Sequence, residues 1–357
     1  MNILLSSIIL ISVLLLTFGL TQLTLRFLTS KGLLVVPSQR SSHRQPKPQG
    51  GGISIVLILF ISLYALDYLE IVQKDQFLYF LIPGLIVAVI GLFDDFWGVN
   101  PVVRISIHFL SAIVGILLIG GFPVLNFFGN QVDLGLLGII LGIIYIVWMV
   151  NLYNFMDGID GLASLEAIYV LLAFSVIYFS LLEVYLFPYL LVVISFSVLG
   201  FFILNFPKSK IILGDVGSTF LGLIIALISI YSSFSFPDFF WIWLILLGVF
   251  LVDSTFTLVV RIFRGEKFYL AHSSHAYQKI ARKLDSHVLT TLLVLLINLL
   301  WLFPIAFLVA YQKIEGILGV LIAYFPFVAN QIKFGHTFGL KFFGKIFKYV
   351  LNRKWNS

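Results

Sequence analysis

Apolar runs of about 18 to 25 residues recur along the whole of this 357-residue chain, and no other feature limits its fold as much. Each run is about long enough to cross a bilayer as a helix. With 61% hydrophobic and only 11% charged residues, and a mean hydropathy of +1.10, the chain does not describe a soluble domain. Its expected fold class is an all-α polytopic integral membrane protein. Eleven spans are predicted, over 3–28, 52–69, 77–93, 102–121, 134–151, 162–181, 185–205, 211–231, 239–260, 288–310 and 314–330. The first run is too long for a signal-peptide core and lacks a basic start and a small-residue cleavage site, so it reads as a span. The absence of cysteine excludes disulfides, thiolate metal sites and a cysteine nucleophile.

The placement of charge orients the bundle. If the eleven spans alternate, fourteen basic residues between Arg26 and Lys283 and six beyond residue 330 fall on one face. Of the 22 Lys and Arg residues, only Lys74 and Lys313 fall opposite. Positive charge stays cytoplasmic, which puts this face inside and the N-terminus outside. A net charge of +6 could suggest nucleic acid, but here it follows the membrane and no nucleic-acid partner is expected. Residues 1–330 read as a single membrane catalytic domain. The tail 331–357, with Lys alternating with Phe, Ile, Tyr and Trp, reads as an amphipathic helix on the anionic inner leaflet; a solvated tail is the alternative.

Every glycine-rich, acidic or His-rich cluster lies on that same face. Asp94 and Asp95 directly follow an apolar run, where adjacent carboxylates repel and are costly to bury. They read as a metal site or a general base, or else as an interfacial stop. In NLYNFMDGIDGL, Asn154 and Asp157 share a helical face at i, i+3, while Gly158 and Gly161 permit close backbone approach. Asn154, Asp157 and Asp160 are hard oxygen donors, suited to Mg²⁺ or Mn²⁺ on a diphosphate. Asp215 in LGDVGSTFLG follows a basic loop. Its neighbours Gly214, Gly217 and Ser218 resemble a helix start with amides free for an anion. Arg261, Arg264, Lys267, His272 and His275 suit phosphate or sugar contact. The first inner loop offers Arg40, Ser41, Ser42, His43, Arg44 and Lys47 before three glycines. Together these parts fit metal-assisted phosphoryl transfer between a water-soluble donor and a membrane-bound acceptor.

Four segments, RSSHRQPKPQGGG, the Asp94–Asp95 pair, NFMDGIDGLA and GDVGS, occur in an order that resembles the polyprenyl-phosphate N-acetylhexosamine-1-phosphate transferases. They cover residues 37 to 278. The resemblance implies transfer of a sugar 1-phosphate from a UDP-sugar to undecaprenyl phosphate, with release of UMP and a need for Mg²⁺, or Mn²⁺ in its place. It implies a bacterial inner membrane, an active site facing the cytoplasm and contact with membrane lipids, and it is compatible with a homodimer. Carried over by residue, Asp94 and Asp95 would engage or deprotonate the lipid phosphate. Asp215, Asp157 and Asn154 would hold the metal. Asp160, Gly158, Arg261, Arg264, His272 and His275 would meet the nucleotide and sugar, and Arg40, Ser42, His43 and Lys47 the lipid phosphate. Gln49 stands where many relatives carry Arg. The segment AHSSHAYQ lacks the run of adjacent histidines found in phospho-N-acetylmuramoyl-pentapeptide transferases, and looks like the branch that starts O-antigen on GlcNAc or on 6-deoxy sugars such as FucNAc or QuiNAc. The pentapeptide transferase is the alternative enzyme. A transporter or flippase is the alternative class, but it would place polar groups near the midplane.

Overall fold

A computed structural model describes residues 3–35, 46–68, 74–266 and 273–334. The apolar runs become helices: α1 (Ile3–Ser30), α2 (Ile53–Tyr68), α3 (Lys74–Trp97), α4 (Pro101–Ile119), α5 (Gly135–Met156), α6 (Leu162–Leu182) and α7 (Leu186–Asn205). There follow α8 (Gly214–Ser233), α9 (Phe239–Leu246), α10 (Gly248–Phe263), α11 (Ala276–Leu284), α12 (His287–Ile297), a π-helical segment (Asn298–Leu302), α13 (Phe303–Ala310) and α14 (Gly316–Phe334). Two short antiparallel pairs complete the fold: β1 (Leu34–Val35) with β2 (Lys47–Pro48), and β3 (Leu125–Phe127) with β4 (Asn130–Val132). In lipid each backbone N–H and C=O must be satisfied within its own segment, which is why the runs are helical.

Among the described residues eight helices are long and apolar enough to span a membrane, or nine if one bent pair counts as a span. The α2 and α14 runs are shorter apolar helices. All eleven predicted segments are therefore helical, but two differ in form. The span expected over 239–260 breaks at Leu247, where α9 and α10 meet at 72°. The one expected over 288–310 carries the π-helical segment in its middle. The tail from residue 335, together with Arg40, Ser42, His43, Lys267 and His272, lies outside the described residues.

The bundle is organised around α8, 94% of whose apolar window is buried inside the protein. Helices α3 and α5 flank it, with α2, α4 and α9 adjoining. Small residues let these backbones approach, the usual means of helix association in membranes. A side chain at Gly52, just before α2, would collide with the backbone of Gly217 in α8, and one at Gly91 in α3 would meet the backbone of Val216. Gly222 of α8 leaves the same space for Met149 of α5. Gly52→Ala is expected to lower stability by about 1–3 kcal/mol through overpacking, read as thermal unfolding in detergent. Gly120→Ala, whose added carbon meets no atom within contact distance, tests only the strain of its φ of +98°.

Candidate active site

The first turn of α8 begins where the chain leaves the bundle edge, and its free amides would be expected to take an anion. The anions they take are the protein's own. Asp95 Oδ1 accepts the N–H of Asp215 at 2.8 Å and Oδ2 that of Val216 at 3.1 Å, while Gln49 Nε2 donates to Oδ1 at 2.6 Å. The Gly214 amide hydrogen-bonds Asp157. The helix start predicted to hold a ligand anion is thus filled by two carboxylates from α3 and the α5–α6 turn. Gly214 has a φ of +79°, and a side chain there would run into the Asp95 carboxylate.

Asp94 is also fully engaged. Its Oδ1 accepts the Val99 N–H at 2.7 Å, in the turn to α4, and its Oδ2 accepts Arg104 Nη1 at 2.5 Å. The same Arg104 nitrogen donates to Asp215 Oδ2 at 3.1 Å. Arg104 rises from the first turns of α4, whose start is capped by Asn100 with Pro101 at its first position. Sequence reading had counted Arg104 only as an inside charge. A lone cation at the head of an apolar run is itself a signal of function.

A cavity of about 270 Å³ opens beside these groups, lined by Asn154, Asp157, Asp160, Asp215, Lys47 and Gln49 among others. Four of the five predicted clusters converge on it: the end of the first inner loop, the Asp94–Asp95 pair through Asp215, the α5–α6 turn and the α7–α8 turn. Asp94 and Asp95 lie behind its wall. The loop is stitched in place by Ile212 N–H donating to Pro48 O at 2.9 Å and Gly51 N–H donating to Ile212 O at 3.0 Å. Gly158 lines the cavity, yet its missing side chain makes room for the Tyr277 hydroxyl rather than for a ligand alone.

Asp160 is held from several sides. Lys47 Nζ donates to its Oδ1 at 3.0 Å and the Ser209 amide to its Oδ2 at 3.2 Å. His287 Nδ1 lies 3.5 Å from Oδ1, and the Thr291 hydroxyl donates to the Asp160 carbonyl at 3.0 Å. Both His287 and Thr291 sit on α12, which sequence reading did not connect to the site. Burial works against charge on Asp160, but His287 and Lys47 hold its carboxyl below the usual value. Asp157 goes the other way: burial first, then the Asp215 and Asp95 carboxylates, push it well above the carboxylate range.

That crowding tests the fit of a divalent cation. Among the described residues no Lys or Arg pairs with Asp157, so it shares its repulsion with Asp215 and Asp95 uncompensated. Among the same residues no group of three His, Cys, Asp or Glu side chains stands close enough to hold a metal unaided. Mg²⁺ is commonly bound through one or two carboxylates with waters and substrate phosphates completing its shell. Asp215, Asp157 and Asn154 suit that partial set.

The remaining predicted contacts lie away from the cavity. Arg261 Nε pairs with Glu266 at 3.0 Å and Arg264 Nη1 approaches the same residue at 3.8 Å. His275 is buried, stacks on Phe155 and sits 3.5 Å from Asp253. Asp253 in turn accepts the amides of Ala276 and Tyr277, so this pair docks the start of α11 on α10. From α11 it is Gln278, not His275, that reaches the cavity wall.

On the other side of Arg104 runs an apolar groove of about 850 Å³ between α4, α5 and α10, lined by Ile105, Phe109, Ile144, Trp148 and Phe155. Among the described residues Arg104 is the single charged one on its wall.

Residues 77–233, spanning α3 to α8, match the sequence profile of glycosyl transferase family 4. It is 29% identical over 287 residues, 79% of each chain, to a probable undecaprenyl-phosphate N-acetylglucosaminyl 1-phosphate transferase of Bacillus subtilis. It is 30% identical over 194 residues to a phospho-N-acetylmuramoyl-pentapeptide-transferase of Streptococcus suis, covering 51% of this chain and 57% of the relative.

The site makes an acid-stability prediction. A carboxyl held below its usual value contributes stability that is present above that value and lost as pH falls through the folded one. Unfolding in detergent is expected to become easier below about pH 4, and Lys47→Met to shrink that loss. An unchanged acid dependence in the variant would detach Asp160 and Lys47 from it.

Proposed function

We propose that this chain transfers an N-acetylhexosamine 1-phosphate from a UDP-sugar to undecaprenyl phosphate, releasing UMP and starting a cell-surface polysaccharide. The observation that carries the reading is Arg104, which joins the acid-lined cavity to the apolar groove. A polar donor in the cavity and a polyprenyl chain in the groove would bring their phosphates together at its guanidinium, which matches phosphate oxygens well. The Bacillus subtilis relative is named for undecaprenyl phosphate and an N-acetylglucosaminyl 1-phosphate, which supports the reading.

The chemistry is a displacement at phosphorus. An oxygen of the lipid phosphate forms a bond to the β-phosphorus of the donor, the bond from that phosphorus to the bridging oxygen breaks, and UMP carries the oxygen away. A phosphate monoester with a second pKa near ~6 is already mostly ionised at neutral pH, so a strong base is not required. Asp94 then serves by fixing Arg104, and Asp95 by fixing the α8 start on which Asp215 rides. Asp160, clamped by Lys47 and His287, shapes the donor end of the cavity. Mg²⁺, or Mn²⁺, held by Asp215, Asp157 and Asn154 would neutralise the diphosphate.

All eleven apolar helices are taken as spans, with the N-terminus outside and the cavity, tail and C-terminus on the cytoplasmic side of a bacterial inner membrane. The charge asymmetry supports this orientation. GlcNAc is the first donor to test, since the Bacillus subtilis relative is named for it; 6-deoxy N-acetylhexosamines follow.

Purified protein with undecaprenyl phosphate and Mg²⁺ is expected to release UMP from one donor in a panel that includes UDP-GlcNAc, 6-deoxy forms and UDP-N-acetylmuramoyl pentapeptide. Chelator and Asp215→Ala should each abolish it. Arg104→Gln is expected to lower the rate by about a hundredfold, with the larger part in KM for the lipid. Lipid-independent UMP release, or none from any donor by folded protein, would overturn the reading.

A further inference from the structure

Glu166 lies in the interior of α6 with 2% of its surface exposed, and neither the cavity nor the groove includes it. A carboxyl within an apolar helix is costly and calls for a partner. Its partner is Asn298, itself 1% exposed, at the point where α12 passes into the π-helical segment. Asn298 Nδ2 donates to Glu166 Oε2 at 2.5 Å. Two buried oxygens are then left without a hydrogen bond, Glu166 Oε1 and Asn298 Oδ1. Both are acceptors if the carboxyl is ionised, and buried acceptors facing no donor cost free energy. Water does not reach them there: the gap beside the pair, lined by Leu162, Leu165, Thr291, Val294 and Leu295, has no volume for a water molecule. Among the described residues no cation pairs with Glu166. The phenol of Tyr169 is already spent on the Asn298 carbonyl at 2.9 Å.

One proton resolves both deficits. A carboxylic acid and a carboxamide have matching donor and acceptor pairs, so an O–H on Oε1 would donate to Oδ1 while Nδ2 donates to Oε2. We propose that Glu166 carries this proton and closes a two-way hydrogen-bonded ring with Asn298, and that the ring makes Glu166 a positioning residue for the site. The link to the site is α12. The helix that Asn298 ends carries Thr291, on the Asp160 carbonyl, and His287, beside the Asp160 carboxylate. Glu166 stands one and a half turns after Asp160 on the adjoining element, so the ring fixes both sides of the Asp160 clamp. The positioning role rests on the cavity being the donor site; the protonation does not.

Infrared difference spectra of wild type against Glu166→Gln at neutral pH test the proton directly. A carbonyl band of a protonated carboxyl, shifted in D₂O and lost in the variant, is expected; loss of a carboxylate band instead overturns the proposal. Gln reproduces the ring, since its amide donates to Oδ1 and accepts from Nδ2. Glu166→Gln should therefore keep UMP release within about twofold, and Glu166→Leu should lower it roughly tenfold, chiefly as a higher donor KM. Failure of folded Glu166→Gln to turn over, or a folded Glu166→Leu with unchanged kinetics, overturns the positioning role. If wild type itself releases no UMP, the infrared band still decides whether the proton is there.

Discussion

Two carboxylates on the amides of one helix start hold this structure together. The first amides of α8 have no partner within the helix, and the helix is the most enclosed element of the bundle. Asp95 from α3 and Asp157 from the α5–α6 turn take those amides. Because the dipole of α8 favours negative charge at this end, the bonds steady two acids that would otherwise repel each other and Asp215. Remove them and three helices lose their common register at the point where the cavity opens.

The same device recurs between α10 and α11, where Asp253 accepts the amides of Ala276 and Tyr277. In both places an acid carried by an apolar run docks the start of another helix. The acids of this protein therefore divide by what they face. Asp95 and Asp253 accept backbone amides together with side-chain donors, Asp94 a backbone amide and Arg104, and Asp157, Asp160 and Asp215 reach the cavity. Type and spacing do not separate these groups; what sits opposite each one does.

Much was legible in advance. The apolar runs located every apolar helix, because a segment that must satisfy its own backbone in lipid has little choice of form, whereas the basic helix α11 was not among them. Four of the five clusters on one predicted face do meet at one cavity. What could not be read was which side chain points where. His275 and the pair Arg261 and Arg264 have the chemistry of ligand contacts, yet they pack against Asp253 and Glu266. Arg104 and Asn298 were missed since each stands alone in an apolar run, and His287 since it sits at the head of one, with no neighbouring motif to mark it. The break at Leu247 was missed too: the run across it is uniformly apolar, and only packing against other helices shows the bend.

A protein that joins a polar donor to a lipid acceptor needs a boundary that is wet on one side and oily on the other. Here the boundary is the ion pair of Arg104, on the groove wall, with Asp215, on the cavity wall. The guanidinium of Arg104 is anchored by Asp94 and Asp215, while Arg104 shares the groove wall with Ile105, Phe109 and Trp148. Lysine could supply the charge there, but not two carboxylate contacts and a phosphate-facing edge from one planar group. Under the proposed function, the Asp94–Arg104–Asp215 chain ties the position of an acceptor phosphate to that of the α8 start, and so to the acids that line the cavity.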